Sequence, residues 1–530
     1  MKSAHSHCTR YILLLTFCLS LSLTAQGSSY YISPKGNDSN SGSQAAPWKT
    51  FTHSIPILNP GDTLFLMNGT YNAAAGTGFI NVNCSSGAND GTSGAPITVQ
   101  AQNERQAHIQ GDGSTEPFQI HNCSYWNVIG LYVSDIDFTT QHENDGTFAL
   151  YDSSNLVIRR NLLYHANRCF NNNLFFVSAV TNSLIEENEL YFFHRWGIQL
   201  WSGSTGNEIR RNYVNPRGAF GAGNSTCSTY GLGPAGIGPY HGQNNTFENN
   251  IVENPSNSDA GNHEGFDNEA DASNNSYLGN IALNMRFILA AHTENPQPTA
   301  NKYADDVDIN APVAGFWIRG GLASTLNHDS VFGSSGELMG FGLNPGLGSN
   351  APSGYTGGFG MTVYNSQVVN LTSGSDGAHF ISSDILSGSG PITFSFDHDN
   401  NFNNSVTYNP NSNVTNPLAV NPGFGNCYLW VPAASPLHAA ASDGTDVGAT
   451  VLYQYVAGAL TTNPLWDQAT GAPLFKGATV SGLNDVAGNS LFDISSRLNI
   501  NQNGCVFPNG YTGSAASSPP APTGLTALVQ

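Results

Sequence analysis

LVIRRNLL, residues 156–163, returns in altered form as SLIEENEL (183–190), NEIRRNYV (207–214), NTFENNIV (245–252) and NSYLGNIA (275–282). In every copy an apolar residue stands three places before an asparagine: Ile158/Asn161, Ile185/Asn188, Ile209/Asn212, Phe247/Asn250 and Tyr277/Asn280. The apolar members are 27, 24, 38 and 30 residues apart, which suits one coil of a parallel β-helix per copy. Asparagine tolerates the left-handed backbone of a sharp bend, and identical amides stacked at one corner can hydrogen-bond from coil to coil. The step of 38 calls for an inserted loop, and residues 216–236, PRGAFGAGNSTCSTYGLGPAG, have the composition of one.

The rest of the chain agrees with a mostly β reading. It is rich in glycine and asparagine, poor in charge, and made of short apolar stretches separated by turn residues. With residues 30–72, YYISPKGNDSNSGSQAAPWKTFTHSIPILNPGDTLFLMNGTYN, and residues 435–449, SPLHAAASDGTDVGA, the repeats carry a family likeness. The sequence resembles the secreted right-handed parallel β-helix proteins of the pectate-lyase-like superfamily. The first passage is similar to the extended segment, short helix and PGDT turn that cap their first coils, and the second to the segment where their helix ends. The resemblance implies an all-β solenoid over residues 28–450, N-terminal cap included. Residues 451–512 are then further edge strands or a C-terminal cap, and residues 513–530 a disordered tail, rich in Pro, Ala and Ser. Because this fold hosts lyases, glycosidases, epimerases and inert adhesins, the resemblance implies a polysaccharide partner without choosing the chemistry.

Charge narrows the partners. Against 17 Lys+Arg stand 37 Asp+Glu, a net charge of −20 that repels phosphate backbones and argues against nucleic acid. Residues 1–27 read as a secretory signal: Lys2 and Arg10, then the apolar run YILLLTFCLSLSL, then TAQG. No later run approaches the roughly 18 apolar residues of a membrane span, so a secreted, extracellular or periplasmic monomer is expected. Of the six cysteines beyond the signal (Cys84, Cys123, Cys169, Cys227, Cys427, Cys505) none has zinc-knuckle spacing, and one or two disulfides of unspecified pairing are expected.

Seven of the twelve arginines lie between residues 159 and 217. Stacked by coil, the position after the apolar anchor reads Arg159, Glu186, Arg210, Glu248, and the next reads Arg160, Glu187, Arg211, Asn249. Coils ~4.8 Å apart would turn these alternating signs into a lateral ladder of exposed ion pairs, each worth less than about 1 kcal/mol.

The chemistry is sought in NHEGFDNEAD, residues 262–271. Counting back eleven residues from each anchor aligns Leu174, Ile198, Gly236 and Phe266 as a second column of strands. With Ile198, Leu200 and Phe266 inward, strict alternation turns Gln199 and Trp201, His241 or Tyr240, and Asp267, Glu269 and Asp271 outward. The next strand, GFWIRG, would insert Phe316 and Ile318 and expose Trp317 and Arg319. Carboxylates beside indole rings suit a sugar-binding groove. Same-face strand neighbours lie roughly 6.5 to 7 Å apart, near the lower end of the ~6.5 to 9.5 Å separation in inverting glycosidases. Asp267 and Glu269 are the first candidate acid–base pair, with Glu264, Asp271 and His263 beside them.

Two other readings compete. The acidic stretch can be a solvated edge, or a calcium site together with Asp305, Asp306 and Asp308 of YADDVDIN, oxygen donors without EF-hand spacing. A calcium-assisted lyase would also need a basic residue to abstract a proton, for which Lys302, Arg286 and Arg319 are the candidates. Hydrolysis requires no cofactor, and a non-catalytic carbohydrate-binding scaffold is the third class. Nucleophile elbow, phosphate loop and zinc motifs are absent from the sequence.

Overall fold

The computed structural model describes residues 27–135, 146–164, 173–193, 195–216, 235–254, 264–290, 300–310, 314–319, 323–333, 339–344, 359–372, 392–404, 408, 412–423, 425–475 and 494–514. The signal segment, the 216–236 loop beyond Pro216 and before Ala235, His263, and the tail from residue 515 lie outside the described residues. No helix among the described residues is long and apolar enough to cross a membrane.

Three parallel sheets of 14, 10 and 12 strands run along the described chain, each central coil giving one strand to each sheet. This is a right-handed parallel β-helix. The register expected from the repeats is kept: Ile158 pairs with Ile185, Ile185 with Ile209, Ile209 with Phe247, and Phe247 with Tyr277. Those side chains form one column of the interior, and the column continues through Tyr303 and Leu326. Its rings stack, Phe247 on Tyr277 at 4.7 Å and Tyr277 on Tyr303 at 5.0 Å.

The asparagines form a continuous internal ladder. Asn161 donates its backbone N–H and its side-chain amide to Asn188 Oδ1. Asn188, Asn212 and Asn250 repeat the same pair of bonds, ending on Asn280 Oδ1. Each amide also donates to the carbonyl of an anchor in the coil before, as Asn280 does to Phe247 at 3.0 Å. A second ladder, Ser183–Asn207–Asn245–Asn275–Asn301, was not expected from the repeats although four of its members open the quoted copies. Amides at both ends of one short strand close the backbone groups that the bends leave unpaired.

The charge ladder also holds its register, with Arg159 opposite Glu186, and Glu186 opposite Arg210. It differs from the expectation in burial. Glu186 is wholly buried and receives Arg159, Arg210 Nε and Arg211 Nη2, the last two at 2.7 Å. Burial alone would raise its pKa; the three arginines bring it below the ordinary carboxylate value. The C-terminal segment lies along the same flank. From Gly448 to Gly458 it descends the flank, its N–H groups donating in turn to Asn365, Ser330, Asp305, Asn249 and Glu248. Residues 427–475 and 494–511 bury apolar side chains against the outer face of the 12-stranded sheet. They form a lateral wall with one antiparallel hairpin, Tyr453–Val456 and Ala459–Pro464. Disulfides join Cys84 to Cys123 and Cys427 to Cys505, while Cys169 and Cys227 lie outside the described residues.

Candidate active site

The acidic stretch forms strand Glu264–Asn268 of the 10-stranded sheet, paired with Ala235–Pro239 before it and Arg286–Ala290 after it. Phe266 enters the core as expected. Strict alternation fails one residue earlier. A Cβ on Gly265 would lie 2.9 Å from the core Cβ of Ala282, so Gly265 and Phe266 both face inward. The strand therefore bends, as a local break in the pleat does, and Glu264 joins Asp267 outside rather than opposing it. Gly238 makes room in the adjacent coil, where a Cβ would sit 1.9 Å from the Asp267 carbonyl oxygen.

Glu264, Asp267 and Glu269 are buried, which speaks against the competing reading of a solvated edge. Arg195 Nη2 donates to Glu269 Oε1 at 3.0 Å, and Arg286 Nη1 lies 3.7 Å from Glu264 Oε1. The Glu269 carboxyl is within hydrogen-bonding reach of that of Asp267, closer than the strand repeat alone implies. Burial, then the neighbouring Glu269 and Glu264, push Asp267 well above the usual carboxylate range. Burial raises Glu264 to about 7 in spite of Arg286 and Arg195. Two like charges in a dry site cannot both be kept, so the group retains protons at neutral pH.

The ring-bearing residues gather near these carboxyls, but not as bare platforms. Trp201 stacks on Tyr240 at 4.5 Å and meets Phe176 at 6.1 Å, while the Arg286 guanidinium lies over Trp317 at 5.1 Å. Arg195 in turn covers Trp196, which is packed inside the sheet surface. Stacked rings show their edges to a ligand, so Trp201 and Tyr240 act as one wall. Gln199 accepts from Asn173 Nδ2 at 2.8 Å and is buried on the same outward column as Asp267. Asp271 stands apart from the carboxyl cluster, at a turn, with its Oδ1 2.7 Å from His241 Nδ1. The sequence sets Arg195, with Arg168 and Arg217, outside the charge ladder as an expected ligand of an anionic sugar; in the structure it pairs with Glu269 instead.

Asp305, Asp306 and Asp308 do not converge. Asp305 accepts from Thr450 N and Tyr455 Oη on the C-terminal wall, Asp306 takes over the ladder position after Asn280, and Asp308 faces the core between Ala282 and Val331. These donors do not fit a common calcium ion. Among the described residues the close group of metal-type donors is Cys84, Asp90 and Cys123, in which the cysteines are disulfide-bonded. Lys302 is exposed on the 14-stranded sheet, away from the carboxyl strand. Of Arg319 the strand position is described and the side chain is not.

Residues 30–191 match the Pel9A-like right-handed beta helix region. Over that stretch, the first coils of the solenoid, the chain is similar to this family. A curated relative, the uncharacterized protein YwoF of Bacillus subtilis (strain 168), is 25% identical over 142 residues, spanning 26% of this chain and 28% of that protein. Among solved structures, pectate lyase Pel9A is 15% identical with a TM-score of 0.45, covering 80% of this chain and 96% of its own. A rhamnogalacturonan lyase is 16% identical with a TM-score of 0.42, covering 75% and 90%.

Proposed function

We propose that this protein is an exported polysaccharide-degrading enzyme that cleaves glycosidic bonds by hydrolysis. One observation carries the reading: Glu264, Asp267 and Glu269 gather on the outward side of a single bent strand, Asp267 keeping its proton at neutral pH while Glu264, raised to about 7, can give its proton up, with Arg195 and Arg286 as countercharges. Asp267 is the general acid, donating its proton to the leaving glycosidic oxygen. Glu264 lies three residues back, about 10 Å along an extended strand and less across the bend. That span approaches the ~6.5 to 9.5 Å of an acid and a base separated by water, and makes Glu264 the base in an inverting reaction. Arg195 holds Glu269 against Asp267, which keeps the proton on the acid until substrate arrives. The wall of Trp201 and Tyr240 borders the sugar.

Elimination is the less supported chemistry, because both arginines near the carboxyls already face acidic partners and the three aspartates Asp305, Asp306 and Asp308 are dispersed. Hydrolysis by this site calls for no metal. The test is incubation of the purified protein with neutral and acidic polysaccharides, reading reducing ends and the absorbance of unsaturated products with and without calcium and chelator. Reducing ends without unsaturation, lost by roughly 10²–10⁴-fold in Asp267→Asn and Glu264→Gln, support hydrolysis. Calcium-dependent unsaturated products would replace it with elimination. Binding with neither product would make the protein a scaffold.

A further inference from the structure

Around the corner from the carboxyl face, a second cleft of about 430 Å³ opens between the coil corners and the C-terminal wall. Its floor carries Asn284, Asn310 and Asn370, left-handed corners with φ of 57°, 62° and 66°, with Gly333 at the corner of the coil between the last two. Its far side carries Asn426 and Tyr428, and Arg497 closes one end. Asn284 is two residues before Arg286, so the cleft and the carboxyl strand share a corner of the solenoid without sharing side chains.

The lining offers unused hydrogen-bonding capacity. Asn310 Nδ2 donates to Asn284 Oδ1 at 2.6 Å, which uses the nitrogen of Asn310 and leaves its oxygen. Asn370 Oδ1 accepts from Asn403 Nδ2 at 2.8 Å, which leaves the Asn370 nitrogen. The exposed Asn426 side chain makes no hydrogen bond among the described residues. Thus an acceptor, a donor and one complete amide face the same space, beside the half-buried Tyr428 ring, which packs against Phe332 at 5.0 Å.

Charge decides which ligand this combination suits. Arg497 is the charged residue of the lining, and Glu253 neutralises it through Nε at 2.5 Å and Nη2 at 2.9 Å. A cleft of paired donors and acceptors, an aromatic ring and no uncompensated charge complements hydroxyl groups on a weakly apolar ring rather than carboxylate or phosphate. The wall is also fixed in advance. Cys427 lies between Asn426 and Tyr428 and is tied to Cys505, so little ordering remains for a ligand to impose.

We propose that this cleft is a second carbohydrate site, binding a neutral oligosaccharide segment independently of the carboxyl strand. Binding of the intact protein to neutral xylan, mannan and β-glucan, and to polygalacturonate and alginate, is measured by titration calorimetry and affinity electrophoresis. The measurements are made in the Glu264→Gln background, so that cleavage cannot confuse binding. The expected result is retention of at least one neutral glycan, weakened about tenfold by Tyr428→Ala and measurably by Asn426→Ala, as for loss of a ring anchor and of a peripheral amide. Asn426 is exposed, so its variant is free of folding effects, and an unchanged melting temperature provides the control for Tyr428→Ala. In the parent protein the same two substitutions leave cleavage of short soluble substrates unchanged. Neutral glycan binding that is absent, or indifferent to both substitutions, overturns the proposal. Binding through the cleft without cleavage of any polysaccharide would defeat the hydrolase reading and leave this one standing.

Discussion

Replacing Asp306 by Asn should make the protein more stable at neutral pH and leave it nearly unchanged in acid. Asp306 stands where the ladder would place its next asparagine: Oδ1 accepts Asn280 N at 2.7 Å and Asn280 Nδ2 at 3.0 Å. Its other oxygen has no partner among the described residues. In the preceding coils that position is an amide nitrogen donating to an anchor carbonyl, so only a neutral carboxylic acid can imitate it. Burial raises the Asp306 pKa well above the usual range, against the bonds from Asn280 and together with Asp305. Tyr277, Tyr303 and Asp329 face the same interior and cannot supply a cation. The folded chain therefore holds this proton more tightly than the unfolded chain. Its stabilisation is complete in acid and is lost as pH rises, by about 1.4 kcal/mol for each pH unit above ~3.9 in which the folded protein keeps the proton. An amide at this position needs no proton. Denaturant unfolding of both proteins should give equal stabilities within about 1 kcal/mol in acid, and a gap that widens toward neutrality in favour of Asp306→Asn. A gap independent of pH, or one that narrows, would refute the assignment of a neutral acid to the ladder.

Three further outcomes follow from the same structure. Asn250→Ala removes two bonds accepted from Asn212 and two donated, to the Ile209 carbonyl and to Asn280 Oδ1, and should lower unfolding free energy by roughly 3 kcal/mol or more, since it leaves buried polar groups unpaired. Glu186→Gln leaves Arg159, Arg210 and Arg211 facing one another in a covered site, so a loss of about 3 to 5 kcal/mol is expected in chemical denaturation; a loss below 1 kcal/mol would mean the ladder behaves as an exposed one. Reducing the Cys427–Cys505 bond opens a loop with a sequence separation of 78 residues, and should destabilise the C-terminal wall by about 4 kcal/mol on loop-closure grounds, seen as early proteolysis after Gly425.

The sequence by itself determined the solenoid, its register and its charge pairing. An apolar anchor and an asparagine recur as a fixed pair, and a parallel stack of coils converts that recurrence directly into contact, Ile185 on Ile158 and Asn188 on Asn161. It also marked strand 264–268 as unusual by its charge. Tertiary structure decided what the charges do. The inward turn of both Gly265 and Phe266 rests on a bend that alternation does not encode, and it brings Glu264 to the side of Asp267. Arg195 meets Glu269 from 74 residues away, across intervening coils whose spacing gives no hint of the meeting. The dispersal of Asp305, Asp306 and Asp308 has the same origin: one sits at a turn, one in the ladder and one in the core, so adjacent positions in the chain reach three different environments. Periodic contacts are local in the repeat and legible from it, whereas burial and bending depend on which distant segment covers each coil.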